Sequence, residues 1–261
     1  MPARLPRFVF LHAARAAGLA SVTCSAASVA GFPIVRLLDG RANALAKFAS
    51  GAGVTWTVNR GAAGLEAVDR LLIPAGHNLA GATSIEVTSD DSSGFTTPTT
   101  LLAAVAVAAG QIDKALAPST EQYLRMTAAG TGAWELGELW LGRTRAPTAG
   151  VFDPHWHDPT LPSLVRHEFP SGESAVLELG DPKHTWRIEH SWLAGADLAV
   201  YAELAAAIGY GRDVFYLDPP DDAEPARLVE LSAAPDREQD AEVPLVELTY
   251  TYRLALAESL A

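Results

Sequence analysis

The chain has 261 residues, of which 49% are hydrophobic and 19% are charged, and its formal net charge is −12. These proportions exclude a disordered chain and allow one large or two ordinary globular domains. The negative charge argues against nucleic acid or an anionic membrane as a tight partner, because phosphate binding depends on clustered lysine and arginine.

The single cysteine, Cys24, excludes an internal disulfide and a thiolate metal cluster. The N-terminal stretch has the basic and small residues of a secretory signal, but His12 and Arg15 interrupt its apolar middle, so we expect no cleaved signal. No uncharged apolar run reaches the roughly 18 residues that a transmembrane helix needs, so we expect no membrane insertion.

Short apolar runs between glycine and proline turns fill the first part of the chain. In GVTWTVNRG, strict alternation places Val54, Trp56 and Val58 on one side of a half-buried strand. Phe32 anchors a loop before it. Further strands are predicted at 8–11, 20–25, 101–109, 123–126 and 134–142. Strands this short and frequent, with no clear helix, predict a β-sandwich.

Two runs in this region, Val68–Ile73 and Ser84–Thr88, flank a turn with glycine, histidine and asparagine. This pattern predicts a β-hairpin. His77 and Asn78 in the turn are the candidate carbohydrate contacts of a sugar-binding sandwich. Turns favour asparagine and glycine for backbone reasons alone, however, so we expect these two residues chiefly to shape the turn.

The segment 146–165 is rich in proline, which predicts a linker or extended arm without regular structure. Within it, FDPHWHDP places His155 and His157 on one side of an extended chain beside aspartates, a donor set that suits zinc. No third ligand run of comparable quality accompanies them, so we favour a structural role and expect neither metal nor cofactor. Trp156 is the candidate anchor for a neighbouring subunit.

Residues 166–261 predict a second β domain with one short helix. Strands are predicted at 174–179, 184–192, 213–217, 227–231 and 243–256. The helix is predicted by apolar residues at helical spacing, namely Leu198, Tyr201, Ala205 and Ile208. The last strand is long enough to serve two sheets or to extend beyond its own subunit into a neighbour's sheet, and its Tyr250 and Tyr252 are candidate subunit contacts.

No catalytic motif accompanies these elements. There is no GxSxG nucleophile turn, and no phosphate-binding glycine loop precedes a lysine. Asp90 and Asp91 lack the ligand spacing of a calcium loop. His184 and His190, beside Glu189 on a strand, are more typical of packing or surface positions than of a catalytic pair. We therefore expect that the protein is not an enzyme.

The order of motifs in about the first 145 residues resembles the galactose-binding-like, discoidin-type β-jelly roll. The motifs are SAAS, FPIVRLLDG, VTWTV, VDRLLIPAGHNL, SIEVTSDDSSG, YLRM and ELGELWLG. Phage tail and baseplate proteins often carry versions with a similar turn and closing strand.

The second part is similar to the β-barrel module of siphophage distal tail and minor tail proteins. HTWRIEHSW, one short helix, GYGRDVFYLDP and VELTYTYRLALAES carry this resemblance. In that family the module forms a ring stacked on the tail tube. The order differs here, because a typical distal tail protein begins with its ring-forming domain.

Together the resemblances imply a mainly all-β chain: a jelly-roll β-sandwich at 1–145, a linker at 146–165, and a β-barrel-like domain with one short α-helix at 166–261. They imply a virion structural protein, assembled in the host cytoplasm. It would form a homo-oligomeric ring at the tail tip and join the tail tube to the baseplate or adsorption apparatus, with tube, hub and tape-measure proteins as partners. One alternative is a carbohydrate-binding module that contacts host glycans. Another is a metal-dependent hydrolase that uses His155 and His157.

Overall fold

The computed structural model describes residues 7–10, 22–38, 44–61, 66–79, 82–148, 151–153, 158–161, 164–168, 174–178, 183–193, 197–203, 214–217, 227–231, 236–239 and 250–258. The chain divides into two compact units. One is Val9–Arg145, and the other combines Met1–Phe8 with Ala146–Leu260. Both are built mainly of β-strands, which confirms the predicted fold class.

The unit Val9–Arg145, called here the sandwich unit, contains two groups of antiparallel strands. In chain order the strands are β1 (Arg7–Phe10, which begins before the unit), β2 (Val22–Cys24), β3 (Ala46–Asn59), β4 (Val68–Ile73), β5 (Ala82–Asp90), β6 (Thr99–Val105), β7 (Ile112–Ser119), β8 (Tyr123–Leu136) and β9 (Trp140–Arg145). One sheet has the order β2-β3-β8-β5-β6, and β4 pairs with β7 on one side and β9 on the other. A short 3₁₀-helix, η1, covers Ile34–Leu38.

The core of the sandwich unit lies between these two groups of strands. Val54, Trp56 and Val58 of β3 are buried in it, as their alternation predicts. Phe48 packs edge-on against Trp56, with 5.7 Å between the ring centroids. Leu71 of β4 enters the same core from the other group of strands. A shared core built from alternate residues of both groups confirms the predicted β-sandwich.

The predicted hairpin of Val68–Ile73 and Ser84–Thr88 is wrong. β4 pairs with β7 and β9, whereas β5 pairs with β6 and β8. The connection between the two strands therefore carries the chain from one sheet to the other. A hairpin and such a crossing share the same local pattern, because both join two half-buried strands through a turn.

The single strand predicted at 134–142 is also wrong. β8 ends at Leu136 and β9 begins at Trp140, and they pair with different strands. Leu136, Leu139 and Leu141 consequently all lie in one core. An unbroken strand would have placed the first of them on the opposite face from the other two.

Among the described residues, the second unit contains nine further strands. They are β10 (Val151–Asp153), β11 (Asp158–Leu161), β12 (Leu164–Glu168), β13 (Ser174–Glu178), β14 (Lys183–Leu193), β15 (Val214–Leu217), β16 (Arg227–Leu231), β17 (Asp236–Gln239) and β18 (Tyr250–Glu258). β14 and β18 pair at its centre, and β12 pairs with β13 in a separate ladder.

Residues 197–203 are helical, which confirms the described part of the predicted helix. Tyr201 of this helix is buried and packs edge-on against Phe8, with ring centroids 6.0 Å apart. The helical positions predicted further along, Ala205 and Ile208, lie outside the described residues. Among the described residues, no helix has the length and apolar character needed to cross a membrane.

The prediction that 146–165 lacks regular structure is wrong for β10 and β11. Both strands pair with β14. Pro159 lies within β11, which has β14 as its one partner among the described strands. A proline is tolerated on an edge strand, because the missing N–H can face away from the ladder.

The last strand, predicted at 243–256, is described over Tyr250–Glu258, and its extension into a neighbour's sheet stays a prediction. β14 pairs with this strand along one side. β17 and β16 pair with it in turn along the other. Along these paired positions, addition of a neighbour's strand would require the ladders to open.

Candidate functional site

One end of the sandwich unit brings together an aromatic ring, two cations, a carboxylate and an amide. We call this group the Phe32 cluster, and its members are Phe32, Arg36, Lys47, Asn78 and Glu135. They come from the loop after β2, from η1, from β3, from the connection between β4 and β5, and from β8. The fold thus assembles the cluster from five separate segments.

The loop that carries Phe32 runs beside β3 and is tied to it through the main chain. The N–H of Val29 donates to the carbonyl of Lys47 at 2.8 Å, and the N–H of Lys47 donates to the carbonyl of Phe32 at 3.4 Å. A turn closes between these points, where the N–H of Phe32 donates to the carbonyl of Val29 at 3.0 Å. Gly31 adopts φ +82° in this turn, a conformation that glycine reaches without steric cost.

Two cations lie against the ring of Phe32. Lys47 Nζ is 4.7 Å and Arg36 Cζ is 5.2 Å from the ring centroid, distances at which the ring quadrupole attracts a cation. Lys47 Nζ also lies 3.1 Å from Glu135 Oε1, and these two residues are direct cross-strand partners in β3 and β8. The half-buried ring and the ion pair therefore form one continuous surface.

Asn78 holds the connection between β4 and β5 against β8. Its backbone N–H donates to the carbonyl of Glu135 at 3.1 Å, and its Oδ1 accepts from the N–H of Glu135 at 2.6 Å. Its Nδ2 donates to the carbonyl of Ala133 at 2.7 Å. An amide can make about four hydrogen bonds, so this exposed side chain keeps capacity for one more donor and one more acceptor contact.

His77 fixes the turn next to Asn78. Its Nδ1 accepts from the N–H of Leu79 at 3.1 Å, so the other ring nitrogen carries the proton of the neutral imidazole. Burial lowers the pKa of His77, and the nearby backbone of Gly110 opposes that shift. The geometry therefore gives His77 a structural role in the turn.

No family model and no curated protein matches this chain. Similar solved structures include chitosan-binding module 1 of a chitosanase/glucanase from Paenibacillus sp. IK-5, with 25% identity over 46% of this chain and 92% of the module, at a TM-score of 0.40. The CBM32 module of AlyQ, in complex with 4,5-unsaturated mannuronic acid, has 19% identity over 47% of this chain and 93% of the module, at a TM-score of 0.38. The CBM32-1 and CBM32-2 domains of ZmpB from Clostridium perfringens have 12% identity over 52% of this chain and 35% of that one, at a TM-score of 0.43.

The opposite end of the sandwich unit is held together by Arg60. This residue is only 8% exposed, and its guanidinium donates to three main-chain carbonyls. Those of Ser119 and Glu121 lie at 3.3 and 3.1 Å, and the third belongs to Glu66. One planar cation with five donors thereby ties the connection between β3 and β4 to the segment at the end of β7.

Asp90 organises the loop between β5 and β6 at this same end. Its Oδ1 accepts from the N–H of Ser92 at 2.8 Å, and its Oδ2 accepts from the N–H of Thr97 at 2.9 Å. These bonds lower the pKa of Asp90. Both carboxylate oxygens thus serve the loop's backbone, which fits a structural role better than a calcium site.

The other sites predicted from the sequence do not belong to the Phe32 cluster. His155, Trp156 and His157 lie outside the described residues, so the metal and subunit-anchor hypotheses stay predictions. The structure describes the backbone of Tyr250 and Tyr252 within β18. In the part of the chain that the structure describes, no group of three or more histidine, cysteine, aspartate or glutamate side chains is placed to hold a metal ion.

Most of the Phe32 cluster was not singled out by sequence reasoning. Asn78 was, but Arg36, Lys47 and Glu135 were not, and Phe32 was assigned only to a loop. One usable signal was present: Lys47 precedes the inward-facing Phe48 in β3, so strand parity places its side chain outward. The pairing of Lys47 with Glu135 depends on the β3–β8 register, which local sequence does not reveal.

Proposed function

We propose that the sandwich unit is a glycan-binding module and that the Phe32 cluster is its binding surface. The observation that carries this proposal is the half-buried Phe32 ring set beside the Lys47–Glu135 ion pair on one surface. Ligand sites commonly combine an apolar platform with a few fixed polar groups that set orientation. A sugar has a matching form, since its C–H face is apolar and its rim carries hydroxyl groups.

The charged groups supply both kinds of hydrogen bond that a sugar hydroxyl can use. Lys47 and Arg36 donate, and the carboxylate of Glu135 accepts. Hydrogen bonds to ionised groups are stronger than those between neutral groups, so a few of them can orient a ligand on an open surface. The spare donor and acceptor capacity of Asn78 adds to the same surface.

The cluster is also preorganised. Phe32 is tied to β3 through its turn, Asn78 is tied to β8, and Lys47 and Glu135 lie on paired strands. Groups held in place by the fold lose little conformational entropy when a ligand arrives, which favours binding.

A glycan array with the full-length chain tests the proposal. It should include chitosan oligosaccharides, N-acetylgalactosamine glycans, pectin fragments and oligomannuronates. We expect at least one glycan to bind and Phe32→Ala to weaken its binding about tenfold or more, which corresponds to about 1.4 kcal/mol. The matched control is Val35→Ala, because Val35 is 51% exposed close to Phe32 and outside the cluster. Its effect should stay within about twofold.

Two results would overturn the proposal. One is an array on which no glycan binds the wild-type chain. The other is a glycan that binds the Phe32→Ala chain as tightly as the wild type, since the site would then lie elsewhere. Circular dichroism of each variant distinguishes lost binding from lost folding.

The tail-tip role stays a prediction that rests on the sequence resemblance. A ring-forming tail protein and a glycan-binding sandwich can coexist in one chain, because the two roles would fall on different units. Electron microscopy of the purified protein at high concentration tests the ring. Monomers alone, with no ring in any particle that contains the chain, would remove this role and leave glycan binding unaffected.

A further inference from the structure

We infer that the Phe32 cluster is selective for acidic sugars and that the group it recognises is the carboxylate of a uronic acid residue. The inference rests on the proposed glycan binding and adds the chemical class of the ligand. It comes from the balance of charges and donors around the ring.

Charges at the cluster favour an anion. Arg36 and Lys47 are cations, and Glu135 is the one carboxylate in the cluster, so its net charge is positive. This local sign is opposite to that of the chain, whose formal net charge is −12. Placing two cations together on an acidic protein favours a carboxylate ligand at that point.

The donors exceed the acceptors as well. Within the described part of the chain, Arg36 donates one of its five N–H groups to the carbonyl of Leu45, at 3.0 Å from Nη1. Lys47 directs one of its three N–H groups to Glu135. Both side chains lie beside the ring of Phe32, and their remaining N–H groups can donate to an anion.

Geometry distinguishes the two cations. The guanidinium of Arg36 is planar and matches the two oxygens of a carboxylate in a bidentate pair, whereas Lys47 acts as a point charge. Glu135 holds Lys47 on its strand, so that Arg36 is the principal recognition group. A uronate packed against Phe32 would thus meet its cationic partners beside the ring.

Matched ligand pairs test the inference on the full-length chain. The probes are short oligomers of galacturonate, glucuronate and mannuronate, each compared with its methyl ester, which has nearly the same shape and no charge. By titration calorimetry, we expect at least one acid to bind about tenfold more tightly than its ester. Arg36→Gln should abolish that preference, so that the acid and its ester bind the variant with equal affinity.

Three further variants separate the effects of charge, geometry and position. Arg36→Lys should retain part of the preference, because it keeps the charge and loses the bidentate fork. Glu135→Gln should increase affinity for the acid, since it removes the competing carboxylate. Lys114→Gln is the matched control on β7, in the other group of strands, and should change neither affinity.

The failures are distinguishable. Equal affinity for acid and ester in every pair that binds would overturn the selectivity and leave glycan binding standing. A preference that survives Arg36→Gln and Lys47→Gln unchanged would overturn the role of the cluster. Failure of every acid and ester to bind, with neutral glycans bound on the array, would also overturn the selectivity alone. An empty array would overturn the function and the inference together.

Discussion

His77 couples the turn beside the Phe32 cluster to pH. Its Nδ1 must stay unprotonated to accept the N–H of Leu79, and burial lowers its pKa below the usual 6.5. In the unfolded chain the imidazole gains its proton as the pH falls through about that usual value. The folded chain gains it only at lower pH, so protons favour the unfolded state in between.

We therefore expect the stability of the sandwich unit to decline as the pH falls from 6.5 through the lowered pKa of His77. His77→Asn, whose amide oxygen can replace Nδ1 as acceptor, should flatten this part of the profile. Urea unfolding followed by tryptophan fluorescence at closely spaced pH values measures the effect. Profiles that are parallel for the wild type and the variant between pH 7 and 5 would show that His77 is not the titrating group.

Asp90 stabilises one element of the fold, the loop from Asp90 to Thr97. It does so in its ionised form, whereas His77 stabilises its turn in the neutral form. Backbone N–H donors hold its carboxylate ionised, so its pKa lies below the usual 3.8. Such a group stabilises the fold above its unfolded pKa, and that contribution is lost as the pH falls through the folded pKa. The loop should therefore weaken only under strongly acidic conditions.

Asp90→Asn tests this, since an amide offers one acceptor oxygen where the carboxylate offers two. We expect the variant to have a lower urea midpoint than the wild type at pH 7, and the two midpoints to converge as the pH falls toward 2. Asp91→Asn is the control, because exposed Asp91 accepts one bond, from the N–H of Gln122 at 3.1 Å. A constant difference between wild type and Asp90→Asn at every pH would contradict the assignment.

Individual strands were predictable where one face is buried and the other wet, as in β3 with its buried Val54, Trp56 and Val58. β7 was missed because the position between buried Ile112 and Leu116 on the same face is the charged Lys114, which interrupts the apolar alternation that marks such a strand. The pairing partner of each strand was harder to predict from the sequence. β4 pairs with β7 and β9, both much later in the chain, and pairing is decided by the packing of the whole sandwich.

The candidate site was harder to predict for the same reason. Glu135 meets Lys47 only through the β3–β8 register, and Asn78 reaches β8 only because the connection from β4 crosses between sheets. Sequence singled out Asn78 from its turn, and the structure shows that its amide fastens that turn to β8. A site whose residues meet only through long-range strand pairing leaves little local sequence pattern from which it could be predicted.

At the scale of the whole molecule, the formal net charge of −12 opposes the local charge of the Phe32 cluster. The balance between them depends on distance and salt. The Debye length is about 30 Å at 0.01 M salt and about 8 Å at 0.15 M. A long anionic polymer at low salt therefore senses the charge of the whole protein, whereas a short oligomer bound at the cluster senses mainly the adjacent cations.

This difference predicts two salt profiles for acidic glycans. A short oligouronate should bind more weakly as salt rises, because screening reduces its attraction to Arg36 and Lys47. Polygalacturonate should instead bind more tightly between about 0.01 M and 0.15 M salt, as its repulsion by the acidic protein is screened, and more weakly beyond that. Affinity electrophoresis or calorimetry across the salt series measures both. A polymer affinity that falls steadily from the lowest salt would mean that the local cations dominate at every distance, and the net charge of the chain would then have no part in selecting its ligands.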